Sequence, residues 1–478
     1  MLKDHAARGL SSSRAVGFAG SALIAVGGLG AGALPVGVSF FAGGHHARAG
    51  LVCVYSGLLL LLLAWWWYGR ATRHVPERDE SCRTAWRTLA LWVAPLLLAP
   101  PMFSRDVYSY LAQGVMIDSG MDVYRHGPAL LGGMIADQVP AIWQHTPSPY
   151  GPVFMIVART IAELLSAHLL LGVIAMRLVA VAGLALLAGS LRVLARSAGV
   201  SPSAATWLAV LNPLVLIHLV GGAHNDALMV GLLAAGLAAA VRHRPIAGTL
   251  LVATAALVKV PAALGLIAVA AIWAAHLGGR LPWVRAAAGV GATAVAATVL
   301  ITWVAGTGYG WIGALNTPIS PQNWSLTGLL GRWTGDLLDS PAAADVWRWA
   351  GLLALVVVAG VVWGYRARLG PVYGLGIVLV AMVIFGPAIR PWYLVWGLAP
   401  LAAVVAHQPV RRLLAGFCAV LVLVTLPDGF GADAERILLA VLGGLIGVAA
   451  FLVVRLAVTP PETLRLAWAA APGRRPTR

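Results

Sequence analysis

Residues 91–114 read LWVAPLLLAPPMFSRDVYSYLAQG. An apolar run closes on two prolines, and an Arg-Asp pair with three hydroxylated side chains follows almost at once. A single run of this kind could be a core helix, but here it is one of many. The 478-residue chain is 60% hydrophobic and only 10% charged. Apolar runs of about 20 residues, the length that crosses a bilayer core, recur from end to end. The expected fold is an all-α polytopic membrane protein, and Arg105–Asp106 then stands where a span meets the interface.

The runs lie near 15–40, 50–68, 88–103, 172–194, 203–220, 226–241, 246–258, 261–276, 287–305, 347–364, 371–385, 391–406, 413–427 and 436–457, which predicts a bundle of about 13–14 transmembrane helices. Segment 151–170 is also apolar, but charge argues that it is re-entrant or lies at the surface. Cytoplasmic loops collect Lys and Arg. With 151–170 not crossing, GRATRHVPERDESCRTAWR (69–87), Arg192, Arg196, RHR (242–244), Arg280, Arg285, RAR (366–368), Arg411, Arg412 and the C-terminal GRRPTR all face the cytoplasm. A crossing at 151–170 would turn several of them outward. The chain then reads as one integral membrane domain, 1–478, in the plasma membrane. Both termini are cytoplasmic, 458–478 is a basic tail, and 104–150 and 306–346 are long external loops.

The net charge of +16 is explained by cytoplasmic arginine and needs no nucleic-acid partner, since no soluble basic domain is present. Cys53, Cys82 and Cys418 form no metal spacing and no even disulfide set. The first apolar run lacks a clear small-residue cleavage site and is expected to remain as a span. No internal sequence repeat of the transporter kind is visible.

The chemically active residue types fall on the external side. Asp106 sits just past a span. An ionisable group at that depth is a functional candidate, although an ion pair with Arg105 or a cap on the helix VYSYLAQG is the competing reading. DVY occurs at 106–108 and again at 122–124, and WQHTPSPYGP (143–152) joins aromatics to proline turns. Such rings suit stacking on sugars, or equally an interfacial aromatic belt. HND (224–226) is more polar than a helix cap requires, yet offers no metal-ligand spacing. The chain has two lysines, Lys3 and Lys259. Lys259, in ALVKVPAAL, and Arg390, in IRPWYLVW, either snorkel singly or together bind a lipid-linked phosphate.

RDVYSYLAQG, GMDVYRHGP, WQHTPSPYGPVF, GGAHNDALMVGLLAAG, ALVKVPAAL and IRPWYLVW together resemble the polyprenol-phosphomannose-dependent α-1,6-mannosyltransferases of mycobacteria and relatives. The resemblance covers about residues 88–406. It implies a GT-C glycosyltransferase architecture, a polyprenyl-phosphate-mannose donor, and a mannan acceptor of the lipomannan and lipoarabinomannan backbone. It also implies chemistry on the outer face, with inversion, and no cofactor or metal. By this likeness Asp106 is the catalytic base, and Lys259, Arg390 and Arg105 bind the donor phosphate. Sugar and acceptor contacts fall to Tyr108, Gln113, Asp122, Tyr124, His126, Trp143, His145, Tyr150, His224, Asn225, Asp226, Trp392 and Tyr393. The chain departs from the GT-C pattern in two ways: Arg-Asp replaces the paired acids of many such enzymes, and two spans precede the one leading to this loop. A flippase for a polyprenol-linked sugar, or a related enzyme donating arabinose, is the alternative. A flippase would favour polar groups at mid-membrane depth and internal symmetry.

Overall fold

The computed structural model describes residues 2–40, 45–73, 79–165, 168–314 and 325–458. Every apolar run marked above contains helix, and no strand occurs among the described residues. The chain is an all-α membrane protein. Its opening pair, α1 (Leu2–Ala31) and α2 (His45–Thr72), packs antiparallel. A Cβ on Gly20 would come within 2.8 Å of the Gly57 carbonyl, and one on Gly27 within 2.7 Å of the Gly50 carbonyl. Lipid tails are as apolar as the side chains, so close backbone packing takes over from hydrophobic burial as the force pairing these helices.

α3 (Asp79–Leu98) ends before Pro100 and Pro101, which lack the N–H that would continue it. The segment that follows is not a loose loop. Its helix α4 (Asp106–Asp118) is buried along most of its length. It packs on α5 (Pro152–Leu165), whose Phe154, Met155, Ala158 and Ile161 are buried. The opposite face of α5 carries an exposed Arg159–Glu163 ion pair. Its 14 residues reach about 21 Å, short of a hydrocarbon core of about 30 Å. α5 is thus a short amphipathic helix.

The remaining helices are α6 (Leu169–Ser197), α7 (Pro202–Ala209), α8 (Asp226–Val241), α9 (Pro245–Ala256), α10 (Leu264–His276), α11 (Pro282–Ala305), α12 (Leu326–Leu338), α13 (Ala343–Gly364), α14 (Pro371–Phe385), α15 (Leu394–Val404), α16 (Gln408–Val424) and α17 (Ala434–Val458). Among the described residues, six helices are long and apolar enough to cross a membrane: Arg8–Ala31, His46–Thr72, Leu169–Ser197, Pro282–Ala305, Ala343–Gly364 and Ala434–Val458. The pair Pro202–Ala209 and Pro213–Gly221, bent by 46°, is long and apolar enough together to be a broken span or a re-entrant loop. The expected 13–14 therefore divides into these and a set of shorter apolar helices, α8, α9, α10, α14 and α15 among them. Gly, Pro and charged residues interrupt the shorter ones where they turn.

Two of those turns share one construction. Between α9 and α10, Lys259 is extended (φ −154°, ψ 124°) and a 3₁₀ turn, Val260–Ala263, follows. Between α14 and α15, Arg390 is extended (φ −126°, ψ 145°) before the 3₁₀ turn Pro391–Tyr393. Arg390 directly precedes Pro391, and a residue before proline is pushed out of the helical region; Lys259 stands two residues before Pro261 and is itself the extended residue at the break. The basic side chain is thereby set at the break between two helices.

One buried arginine ties the site-bearing turns together. Arg177, on α6, donates to the carbonyls of Leu97 (3.1 Å), Ala99 and Pro100 (2.6 Å) at the end of α3. It also donates to Val220 (3.2 Å) and Gly221 (2.8 Å). Both turns expose carbonyls that no helix satisfies, and the five-donor guanidinium matches that need. At the other end of the bundle, Arg70, Arg73 and Arg412 lie close enough to repel. Partial burial first, then these two neighbours, lowers the Arg73 pKa.

Candidate active site

The polar turns converge. Asp106 is the first residue of α4, and its Oδ1 accepts a hydrogen bond from Trp143 Nε1 at 3.1 Å. Its Oδ2 lies 3.8 Å from His224 Nδ1. Tyr110 Oη, one helical turn further along α4, is 3.3 Å from the same His224 nitrogen. His224 stacks on Trp392, with ring centroids 3.8 Å apart. Residues 106, 143, 224 and 392 thus meet from four separate segments.

Beside them lies a buried ion pair. Lys259 Nζ donates to both oxygens of Asp226, at 2.9 and 3.0 Å. Trp396 Nε1 donates to Asp226 Oδ1 at 2.6 Å. The ammonium also stands over the rings of Tyr393 (4.5 Å), Trp396 (5.3 Å) and Tyr150 (5.8 Å). Three aromatic faces and one carboxylate suit a desolvated cation. Tyr393 and Trp396 stack at 4.3 Å and close one side.

The electrostatics follow from this enclosure. Burial raises the Asp106 carboxyl above its ordinary value, although 17% of the side chain stays exposed. Arg390, Lys259 and the Trp143 hydrogen bond pull against that shift. Burial works against the Lys259 ammonium, but Asp226, Tyr393 and Asp106 outweigh it and hold the amine above its ordinary value. His224 is held well below its own, by burial first and then by His218, Lys259 and Arg390, so it is neutral. The result is a carboxyl raised by burial beside a lysine whose partners favour its charged form.

The other residues singled out from the sequence fall into two groups. Tyr150, Trp392 and Tyr393 belong to the cluster, and Arg390 acts on it through its field. Arg105 lies 5.2 Å from the Tyr108 ring. Tyr108 itself turns its hydroxyl to the Ala33 carbonyl at 2.8 Å. Gln113 accepts from Ser148 Oγ at 3.1 Å and pins α4 to the proline turn. Tyr124 Oη donates to the Tyr150 carbonyl at 3.0 Å. Asp122 caps its own turn through the Tyr124 N–H and pairs with Arg125. Asp122, His126 and His145 are exposed. The segment after α11 reaches this region too, since Gly310 packs against the Tyr124 side chain.

Sequence reasoning passed over Arg177, Tyr110, Trp396 and His218. Arg177 did carry a signal: a lone arginine inside an apolar run is a functional candidate by default. The other three look like ordinary helix residues until their neighbours are known. Among the described residues, no three His, Cys, Asp or Glu side chains gather as they would around a metal ion.

The site thus joins a carboxylate, cations and stacked aromatics from turns that lie far apart in the chain. Comparison with known proteins narrows the class. The family model described as alpha-(1->6)-mannopyranosyltransferase, N-terminal domain, matches residues 14–275. The MptB C-terminal domain matches residues 324–455. The chain is 34% identical to alpha-(1->6)-mannopyranosyltransferase A of Mycobacterium tuberculosis, over 87% of this chain and 84% of the relative. It is 32% identical to alpha-(1->6)-mannopyranosyltransferase B of Corynebacterium glutamicum, over 84% and 74%. No solved structure matches it. The chain belongs to the alpha-(1->6)-mannopyranosyltransferase family, and that membership supports mannosyl transfer as its activity.

Proposed function

We propose that this protein transfers mannose from a polyprenyl-phosphate-mannose donor to an α-1,6-mannan acceptor, on the outer face of the plasma membrane and with inversion at the anomeric carbon. The observation that carries this reading is the meeting of Asp106 with the Arg390 and Lys259 turns at the end of an apolar helix. A phosphate anchored by a lipid tail sits at headgroup depth, and these charges gather at a helix end.

In this mechanism Asp106 takes the proton from the acceptor 6-hydroxyl as its oxygen attacks the anomeric carbon. The carbon–oxygen bond to phosphate breaks, and the electron pair leaves on polyprenyl phosphate. Arg390 and Arg105 stabilise that anion, with Lys259 adding its field from the Asp226 pair. The Trp143 N–H holds the Asp106 carboxylate in one orientation. The reaction as written needs no metal. The aromatic faces of Trp143 and Tyr150 border the acceptor path.

The test is to incubate purified protein with labelled polyprenyl-phosphate mannose and a short α-1,6-mannoside. Elongation by one mannose supports the reading. Lipid translocation across a vesicle without any glycosidic product would replace it with a flippase, and activity only with an arabinosyl lipid would replace the donor.

A further inference from the structure

Several polar atoms around His224 have no partner. His224 Nε2, both ring nitrogens of His218, both side-chain atoms of Asn225 and the Trp392 indole nitrogen are buried and make no hydrogen bond to any described residue. They form one patch. His218 lies 5.1 Å from Trp392 and 6.5 Å from His224, ring centre to ring centre, and Asn225 is the next residue in the chain. His218 and His224 are fully buried, and Asn225 is 3% exposed.

A buried polar atom left unpaired costs about 1–3 kcal/mol, so a patch of them calls for a group that arrives from outside. The local backbone is unusual as well. His218 lies in a π-helical segment, Leu216–Gly221, and Ala223 adopts a positive φ of 55°. A π turn in a helix is often found at a functional site. Phe103, 5.7 Å from His218, closes the apolar side.

We infer that His218, His224, Asn225 and Trp392 form a closed, neutral pocket for the hydroxyl groups of the hexose carried by the lipid donor. The inference rests on the proposed donor and adds which part of the protein reads its sugar. The patch offers donors, acceptors and an aromatic face but no carboxylate or ammonium of its own, which suits a neutral polyhydroxyl group and not a phosphate. Its residues are wholly buried, so it accommodates a terminal unit. The patch also adjoins the donor end of the proposed site: Trp392, which stacks on His224 at 3.8 Å, follows Arg390 by two residues in the same turn. Asp106 lies against His224 Nδ1, which leaves Nε2 for the sugar.

The experiment compares binding of polyprenyl-phosphate mannose and bare polyprenyl phosphate to purified wild type, His218→Phe and Asn225→Leu, with thermal midpoints recorded for each. Wild type should prefer the mannosylated lipid. Both variants should bind the bare lipid as wild type does, and lose roughly tenfold or more in affinity for the mannosylated one, the equivalent of one lost hydrogen bond of about 1.4 kcal/mol. His218→Phe should not lower the midpoint, because it replaces unpaired polar atoms with apolar surface. That readout separates sugar recognition from a structural role. Variants that keep the wild-type preference overturn the pocket. Unchanged donor binding with a raised acceptor KM would assign the patch to the acceptor and also overturn it. Wild type that binds neither lipid removes the donor itself.

Discussion

Lys259 and Asp226 are 33 residues apart in the chain, and their side chains form a two-pronged ion pair at 2.9 and 3.0 Å. Asp226 is fully buried and Lys259 keeps 12% exposure. The pair joins the turn before α8 to the turn before α10. It also changes the part Lys259 can play. A lysine already holding a carboxylate is a fixed part of the wall, so in the proposed mechanism contact with the donor phosphate falls first to Arg390 and Arg105.

Breaking this pair should therefore cost stability before it costs donor binding. Lys259→Ala and Asp226→Ala should each destabilise by about 3–5 kcal/mol, because each strands a buried charge. The double variant, Lys259→Ala with Asp226→Ala, should recover much of that loss. Thermal midpoints in detergent decide it; single variants as stable as wild type would show that the pair does not hold the turns.

Asp106→Asn keeps the size of the side chain and its acceptor for the Trp143 N–H, but removes the base. Turnover with saturating donor and acceptor should drop roughly 10²–10⁴-fold while the thermal midpoint stays within error. Near-normal turnover would move the base elsewhere.

The pH profile should carry the same signature. A base works deprotonated, so activity should rise with pH through the Asp106 pKa and be lost below it. Burial places that limb above the ordinary carboxylate range, and Arg390 holds it down. Arg390→Ala should move the acid limb to higher pH, and Lys259→Ala should do so less. An acid limb unmoved in Arg390→Ala would mean that its charge does not reach Asp106.

Arg177→Lys should be poorly tolerated although it preserves charge. One ammonium cannot reproduce a planar fork serving five carbonyls in two turns. A fall in thermal midpoint together with lost turnover is expected. Full activity would show that the two turns hold their geometry without it.

Topology is open to direct measurement. A tag or protease site at 120–140 should be reached from outside, and one at 74–82 from the cytoplasm, by the charge asymmetry of the loops. Finding both on one side would overturn the threading.

Much of the site was legible because polarity is rare in this chain. Asp106, HND, Lys259 and Arg390 stand out where apolar runs stop, and all four regions do come together. Legibility failed where identity depends on a partner. Lys259 reads as a free cation until Asp226 is opposite it. Tyr108 and Gln113 read as loop groups facing a sugar, yet the fold spends them on Ala33 and Ser148.

The sequence by itself determined the class of fold, the position of the long apolar helices and the polar character of the connecting turns, but not α12, which lies in a stretch that reads as a loop. Those properties are local: an apolar run of sufficient length must be helical in a bilayer, since no water is there to satisfy its backbone. Family membership is likewise carried by the order of motifs along the chain. Only the tertiary structure decided which helices are long enough to cross and which break at an extended residue before a 3₁₀ turn. It alone decided that Lys259 pairs with Asp226, that Arg177 ties the turns after α3 and before α8, and that His218 joins His224 in one unpartnered patch. These depend on distances between segments far apart in sequence, which periodicity and composition do not encode.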